Sequence, residues 1–222
     1  VAFSDRLAGV WRALMRLPST EGGRSVLFVS ARSGEGTSDV AAAFCEHVAG
    51  RAQRPIMLYD LDLAANPQFE AYRQDPRGLK VGPGLDMTFD ETPFWRIVGP
   101  AGGAQPDAIY RAHRLEPSRL FVTRFAYDDL RPGERVEVVS APAYWAAVRQ
   151  RVEIAVLDAP SLERSRAALA LARDVDAVVL VVEADARSPA EAIAAREAIE
   201  ARGANVIGVV LSRAPRTYGW SD

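Results

Sequence analysis

Five apolar runs rich in β-branched residues punctuate the chain: "SVLFVS" (25–30), "PIMLYDLD" (55–62), "VEIAVLDAP" (152–160), "DAVVLVVEA" (176–184) and "ANVIGVVLS" (204–212). A strand with one wet face alternates apolar and polar residues. These runs do not alternate, which is the mark of parallel strands buried on both faces. Parallel neighbours need long crossovers, and the segments between the runs read as helices. One helix is expected over 38–50, closed by Gly50. Another covers 188–203, with Ser188 as cap, Pro189 in its first turn, Glu191 completing a capping box and Gly203 at its end. Before the first strand, Leu7, Val10, Trp11, Leu14 and Leu17 recur at spacings of three and four, so 3–18 reads as an amphipathic helix with a linker to residue 23. The pattern predicts an α/β fold: a doubly wound, mostly parallel sheet flanked by helices. A length of 222 residues suits one such domain over 1–222.

Residues 64–140 break the rhythm. They are rich in Gly and Pro, hold half of the aromatics, and read as an irregular, insertion-like segment. Candidate strands are 94–99, 119–127 and 135–140, with an added β-hairpin expected across 127–135, where Pro132-Gly133 signals a turn. Phe94, Trp95, Phe121, Phe125, Tyr127, Tyr144 and Trp145 are candidates for partner contact or for a second buried cluster, as are Trp11 and Trp220 for contact.

The loop after the first strand reads "ARSGEGTS" (31–38). A phosphate-binding loop has the form G-x-x-x-x-G-K-[ST]. Gly34 and Gly36 let main-chain N–H groups converge on an anion, and a helix starting near Thr37 adds the positive end of its dipole. Arg32, Gly34, Glu35, Gly36, Thr37 and Ser38 are therefore the candidate nucleotide-binding residues, with Ser38 where a magnesium-ligating hydroxyl would stand. Thr37 occupies the position of the loop lysine. Losing that ammonium forfeits a charged hydrogen bond of about 1.5–3 kcal/mol. Asp39 adds repulsion of about 2 kcal/mol for a phosphate charge at ~7 Å and an effective dielectric of 20. Arg32 is either a partial replacement for the lysine or a solvated side chain. The reading is a weak ATP or ADP site with magnesium, or no cofactor at all.

Acids close two strands. Asp60 and Asp62 end the second run and Asp158 ends the third, at the strand termini where open α/β sheets bind ligands. Asp60, Asp62 and Asp158 are the candidate catalytic residues, in vestigial form, and Ser38, Asp60 and Asp158 the candidate magnesium ligands if nucleotide binds. The alternative is that such acids cap the next helix or turn. At i and i+2, Asp60 and Asp62 are expected on the same side of a strand.

Composition excludes some classes. A net charge of −2 with interleaved signs offers no footprint for nucleic acid. A lone cysteine, Cys45, excludes an internal disulfide and reads as a small buried hydrophobe. No run is long enough to span a membrane and no signal peptide is visible, so a cytoplasmic location is expected.

The loop "SARSGEGTSD", the second motif "LYDLDLA" and the third "VLDAPS" together resemble the cytoplasmic domain of bacterial tyrosine kinases (BY-kinases), within the MinD/ParA-like deviant P-loop ATPases. The family patterns are S-x-x-x-G-E-G-K-S-T, L-I-D-A-D-L-R and I-I-D-T-P-P. Asp60, Asp62, Asp158 and Pro160 match; Thr37 departs at the lysine and Ala64 at the arginine. The resemblance implies a P-loop NTPase-like fold and a role in capsule, biofilm-adhesin or other exopolysaccharide synthesis and export. It also implies a membrane-bound polysaccharide co-polymerase as partner, and hence a position at the inner membrane through that partner. The family's oligomerisation helix resembles E-A-Y-R-x-L-R; "GVWRALM" (9–15) keeps Arg12 but holds Gly9 and Met15 at the other charged positions, so a homo-oligomer is implied on reduced grounds. The tyrosine-rich tail of these kinases is reduced to Tyr218. The expectation is a pseudo-kinase with a degenerate loop that acts by binding. The alternatives are an active ATP-dependent tyrosine autokinase, or a MinD/ParA-like ATPase, with an altered loop.

Overall fold

The computed structural model describes residues 3–19, 21–75, 79–87, 89, 92–99, 109–184 and 189–212. The chain runs α1 (Phe3–Met15), β1 (Arg24–Ser30), α2 (Thr37–Ala49), β2 (Ile56–Asp60), α3 (Pro67–Arg73), β3 (Lys80–Asp86), β4 (Trp95–Val98), β5 (Tyr110–Glu116) and β6 (Leu120–Phe125). A 3-10 turn (Tyr127–Asp129) leads to β7 (Arg135–Val138), α4 (Pro142–Arg151), β8 (Ile154–Asp158), α5 (Ala167–Leu171), β9 (Ala177–Glu183), α6 (Pro189–Glu200) and β10 (Val206–Ser212).

Eight strands form one sheet in the order β10-β9-β1-β8-β2-β6-β5-β3. The pairings from β10 through to β6 are parallel, and β5 and β3 add antiparallel. All five runs singled out in the sequence are thus parallel strands. For β1, β2, β8 and β9 the continuous apolar character follows from two cores; β10 departs from the expected burial on both faces, because it is the edge strand and leaves Val209 and Leu211 exposed. Val26 and Phe28 of β1 face one side with α1, α2 and α3; Leu27 and Val29 face the other with α4, α5 and α6. Leu7, Val10 and Leu14 bury the predicted face of α1, and Cys45 is buried in α2. Among the described residues no helix is long and apolar enough to cross a membrane. Ser188 and Trp220 lie outside the described residues, so their expected roles do too, as does Tyr218.

The middle segment is more regular than its composition suggests, and its hairpin is elsewhere. β6 pairs with β5 on one side and with β2 on the other, while β7 pairs with β4 in a separate two-stranded sheet. Residues 127–135 therefore carry the chain from one sheet to the other instead of closing a hairpin. Burial in the main sheet satisfies β6 on both edges, which outweighs the local turn signal of Pro132-Gly133. The aromatics are mostly core. Phe94, Trp95, Phe125, Tyr144 and Trp145 are buried, and Phe94 packs within 5.1 Å of both the Tyr144 and Trp145 rings. Phe121, Tyr127 and Trp11 are half-buried against the cores. The partner-contact reading of the buried five is overturned, because their surface is already spent on one another.

Truncating Trp145 should then act on stability. Trp145→Ala is expected to lower the unfolding free energy by about 3–5 kcal/mol, read from urea denaturation at fixed m-value.

Candidate functional site

The loop after β1 is shaped by two left-handed glycines, Gly34 at φ 84° and Gly36 at φ 80°. Gly36 is the N-cap of α2. From the far edge of the sheet, the Ser212 hydroxyl donates to the Glu35 carbonyl at 2.6 Å and ties the loop to the end of β10. Arg32, Gly34, Glu35, Gly36, Thr37 and Ser38 line a cleft of about 210 Å³ together with Asp39, Ser161 and Arg164. The sequence-predicted loop residues are thus brought together.

The amides of the loop are partly taken by the chain's own carboxylates. Arg32 N–H donates to Glu35 Oε2 at 2.8 Å, and Ser33 N–H donates to Glu163 Oε1 at 2.7 Å. Hydrogen bonds from Ser33 hold the Glu163 carboxyl below its usual pKa. Arg32 does not take the lysine's place. Its guanidinium turns outward to Glu191 of α6 at 3.3 Å, with 61% of the side chain exposed. Thr37 is buried and its Oγ1 has no hydrogen-bond partner.

Asp60 and Asp158 are neighbours in strand register and both are buried. Gln68, in the first turn of α3, serves both. Its backbone N–H donates to Asp60 Oδ2 at 2.8 Å, and its side-chain Nε2 donates to Asp158 Oδ2 at 2.7 Å and to the Ser38 carbonyl at 2.9 Å. Asp60 also accepts from Asp62 N–H at 3.1 Å, while its own N–H donates to Thr123 Oγ1 at 3.0 Å. Asp60 therefore caps α3, the alternative kept open for strand-end acids. Asp62 departs from the same-side expectation, because β2 ends at Asp60 and the alternation of a strand stops there. It turns instead to Arg164 at 3.1 Å.

Burial pushes both carboxyls up, and neighbouring carboxylates add to it: Asp158 for Asp60, and Asp39 and Asp62 for Asp158. Asp60 rises well above the ordinary range through desolvation and the charge of Asp158. Asp158 rises to about 6 through desolvation, only partly offset by the bonds from Gln68 and Ser38. One oxygen, Asp158 Oδ1, has no hydrogen-bond partner.

As arranged, the donor set does not fit a divalent cation. The Gln68 amide nitrogen lies between Asp158 Oδ2 and the Ser38 carbonyl, where it supplies the positive pole a metal would supply. Asp60 spends both oxygens on amide N–H groups. Of the four carboxylate oxygens of Asp60 and Asp158, only Asp158 Oδ1 is uncommitted, and one carboxylate oxygen is not a magnesium site.

Three residues of the site escaped the sequence reading. Gln68 had a usable signal: Pro67 beside it marks the start of a helix two strand-end acids away. Glu163 and Arg164 had none, since their roles depend on the loop after β8 folding back across the P-loop.

No protein-family model matches the chain, and no curated protein matches it in sequence. Its fold is similar to solved kinase domains. The kinase domain of the Escherichia coli tyrosine kinase ETK shares 14% identity at TM-score 0.60, over 99% of this chain and 80% of that one. The chimerical protein CapA2B2 shares 18% at TM-score 0.64, over 96% and 85%. The VpsO kinase domain shares 18% at TM-score 0.55, over 97% and 100%. The chain has the mostly parallel, helix-flanked α/β fold of these P-loop kinase domains.

The carboxyl pair predicts a pH signature. Because Asp158 binds its proton more tightly folded than unfolded, its favourable contribution is complete below the ordinary value of 3.8, declines as pH rises, and is lost above about 6. Asp158→Asn removes the buried charge and keeps an acceptor for Gln68. It should raise stability by about 3 kcal/mol at neutral pH and leave it unchanged near the acid end, measured by denaturant unfolding across that range.

Proposed function

We propose that this chain is a BY-kinase-like pseudo-kinase, a cytoplasmic binding and regulatory partner in bacterial exopolysaccharide synthesis and export. It would work at the inner membrane by docking on a membrane-bound polysaccharide co-polymerase or a neighbouring synthesis protein. The pathway comes from the resemblance of the three motifs; the likeness in fold to kinase domains supports it. The observation that carries the loss of catalysis is the Gln68 side chain donating to both Asp158 and the Ser38 carbonyl. It sits on the acids and helix start that would share a metal. The missing lysine at Thr37, the outward turn of Arg32 and the Glu163 carboxylate on Ser33 N–H support the same reading.

Phosphoryl transfer needs positive charge on the transferring group. Around the loop the described acids are Glu35, Asp39 and Glu163, and the guanidiniums of Arg32 and Arg164 are paired with Glu191 and Asp62. An incoming triphosphate would have to displace Glu163 without a cation to replace the exchange. The cleft of about 210 Å³ is also below the ~300–1,000 Å³ usual for small-molecule sites.

A second reading, a working ATPase or tyrosine kinase, is favoured by the buried, unpartnered Thr37 Oγ1 and Asp158 Oδ1. Calorimetric and thermal-shift titration with ATP and magnesium separates the two. The pseudo-kinase predicts no binding tighter than about millimolar and no rise in melting point. Micromolar affinity with turnover would reject it. Thr37→Lys with Asp39→Thr should recover nucleotide binding by tens-fold, and adding Gln68→Ala should make that binding magnesium-dependent.

A further inference from the structure

The P-loop cleft carries more negative charge than its own side chains balance. Its lining holds Arg32, Glu35, Asp39 and Arg164. Both guanidiniums are already taken by carboxylates outside that lining, Arg32 by Glu191 at 3.3 Å and Arg164 by Asp62 at 3.1 Å. Glu163 adds a further carboxylate on the Ser33 amide. Two guanidiniums thus meet five carboxylates, before the buried Asp60 and Asp158 are counted. Adding Arg166 of the neighbouring cleft does not reverse the balance.

Two polar groups of the cleft are short of a partner. Glu35 and Glu163 accept main-chain N–H groups, but Asp39 is exposed and has no hydrogen bond or ion pair among the described residues. Its charge is felt at the buried Asp158, whose proton it helps to retain. Thr37 also lines the cleft, is only 8% exposed, and its Oγ1 makes no hydrogen bond. A lone carboxylate and an idle hydroxyl in one cleft call for a positively charged donor.

The chain brings such donors to this spot. β10 ends at Ser212, whose hydroxyl holds the Glu35 carbonyl at 2.6 Å. Ser212 and Asp39 both approach Gly36: a side-chain carbon placed on Gly36 would lie 3.4 Å from Ser212 Cβ and 3.9 Å from Asp39 Oδ2. Residues from 213 onward lie outside the described residues; in sequence they begin "RAPR" (213–216), and the first acid among them is Asp222. Arg213 follows the anchor directly, and Arg216 is within ~14 Å of it even in a fully extended chain.

We propose that Arg213 and Arg216 occupy the acidic P-loop cleft of their own chain, an autoinhibitory contact in which a guanidinium rests on the Asp39 carboxylate. Charge and reach select this occupant. The cleft lacks a cation, and cations tethered beside Gly36 act at high effective concentration. An exposed ion pair of this kind is weak and salt-sensitive, so the contact is reversible and a competing basic ligand displaces it. The contact belongs to the nucleotide-free chain. It goes beyond the pseudo-kinase reading, and either can fail without the other.

The test uses the whole chain, isotope-labelled and free of nucleotide, with the amides of Gly34–Asp39 followed by NMR. Arg213→Gln with Arg216→Gln should move those resonances, and lysine at both positions should leave them close to those of the unsubstituted chain. In an Asp39→Asn background, a change on an exposed side chain, the glutamine pair should be silent there, because its partner is gone. A blocked RAPR tetrapeptide, titrated to millimolar, should bind at the loop of the glutamine variant about tenfold or more tightly than at the unsubstituted chain, whose cleft is already filled. The tetrapeptide with glutamine for arginine should not bind. Loop resonances indifferent to the glutamine pair, an equal response in the Asp39→Asn background, or equal affinity of RAPR for the two chains would each overturn the proposal. The last result would mean that the cleft stands open to a cation from another molecule.

Discussion

Two carboxylates in register on adjacent buried strands need positive charge between them, and the way this chain supplies it organises the rest of the site. Asp60 and Asp158 sit side by side at the ends of β2 and β8. A metal ion, a cationic side chain or a set of N–H dipoles could each balance them. Here the answer is dipolar. Amides from Gln68 and Asp62 reach the pair, and the Gln68 side chain bridges onward to the first turn of α2 through the Ser38 carbonyl. Dipoles balance less than ions do, which is why both carboxyls are pushed up. The same bridge ties α3 to α2.

The shape of a phosphate loop and its charge are separate properties. Shape depends on Gly34 and Gly36 in the left-handed region, on the start of α2, and on the Ser212 anchor at the far end of the sheet. None of these needs a nucleotide to hold it. Charge depends on a few side chains at defined positions. Thr37 and Asp39 change the second without disturbing the first, and the Glu163 carboxylate fills an anion's place on the Ser33 amide. A well-formed loop is therefore weak grounds for activity, and the electrostatics around it are better grounds.

What could be read from the sequence follows the same division. The central parallel strands β1, β2, β8 and β9 were legible because burial on both faces leaves a short, continuous β-branched run; β10 was legible from the same texture although its outer face is exposed. α1 was legible from its Leu7, Val10 and Leu14 face. β3 was not, because "KVGPGLD" carries Gly and Pro that an edge strand tolerates and a pattern reader rejects. β5, "YRAHRLE", alternates as a half-exposed strand should, but three basic residues mask it. Of the site, the acids and the loop were visible as motifs. The Gln68 bridge was not, since a glutamine gains its role only when α3 folds over the strand ends.

The middle segment is where this chain has most freedom, and the packing explains how the freedom is used. Its aromatics, Phe94, Trp95 and Tyr110 with Tyr144 and Trp145 of α4, form one buried cluster with Tyr59 of β2. That cluster fixes the β4–β7 pair to the body of the domain, and among the described residues the pair has no further strand. A sheet edge is normally blunted by charge, by proline or by cover. Glu137, flanked by Arg96 and Arg135, supplies that charge on β7.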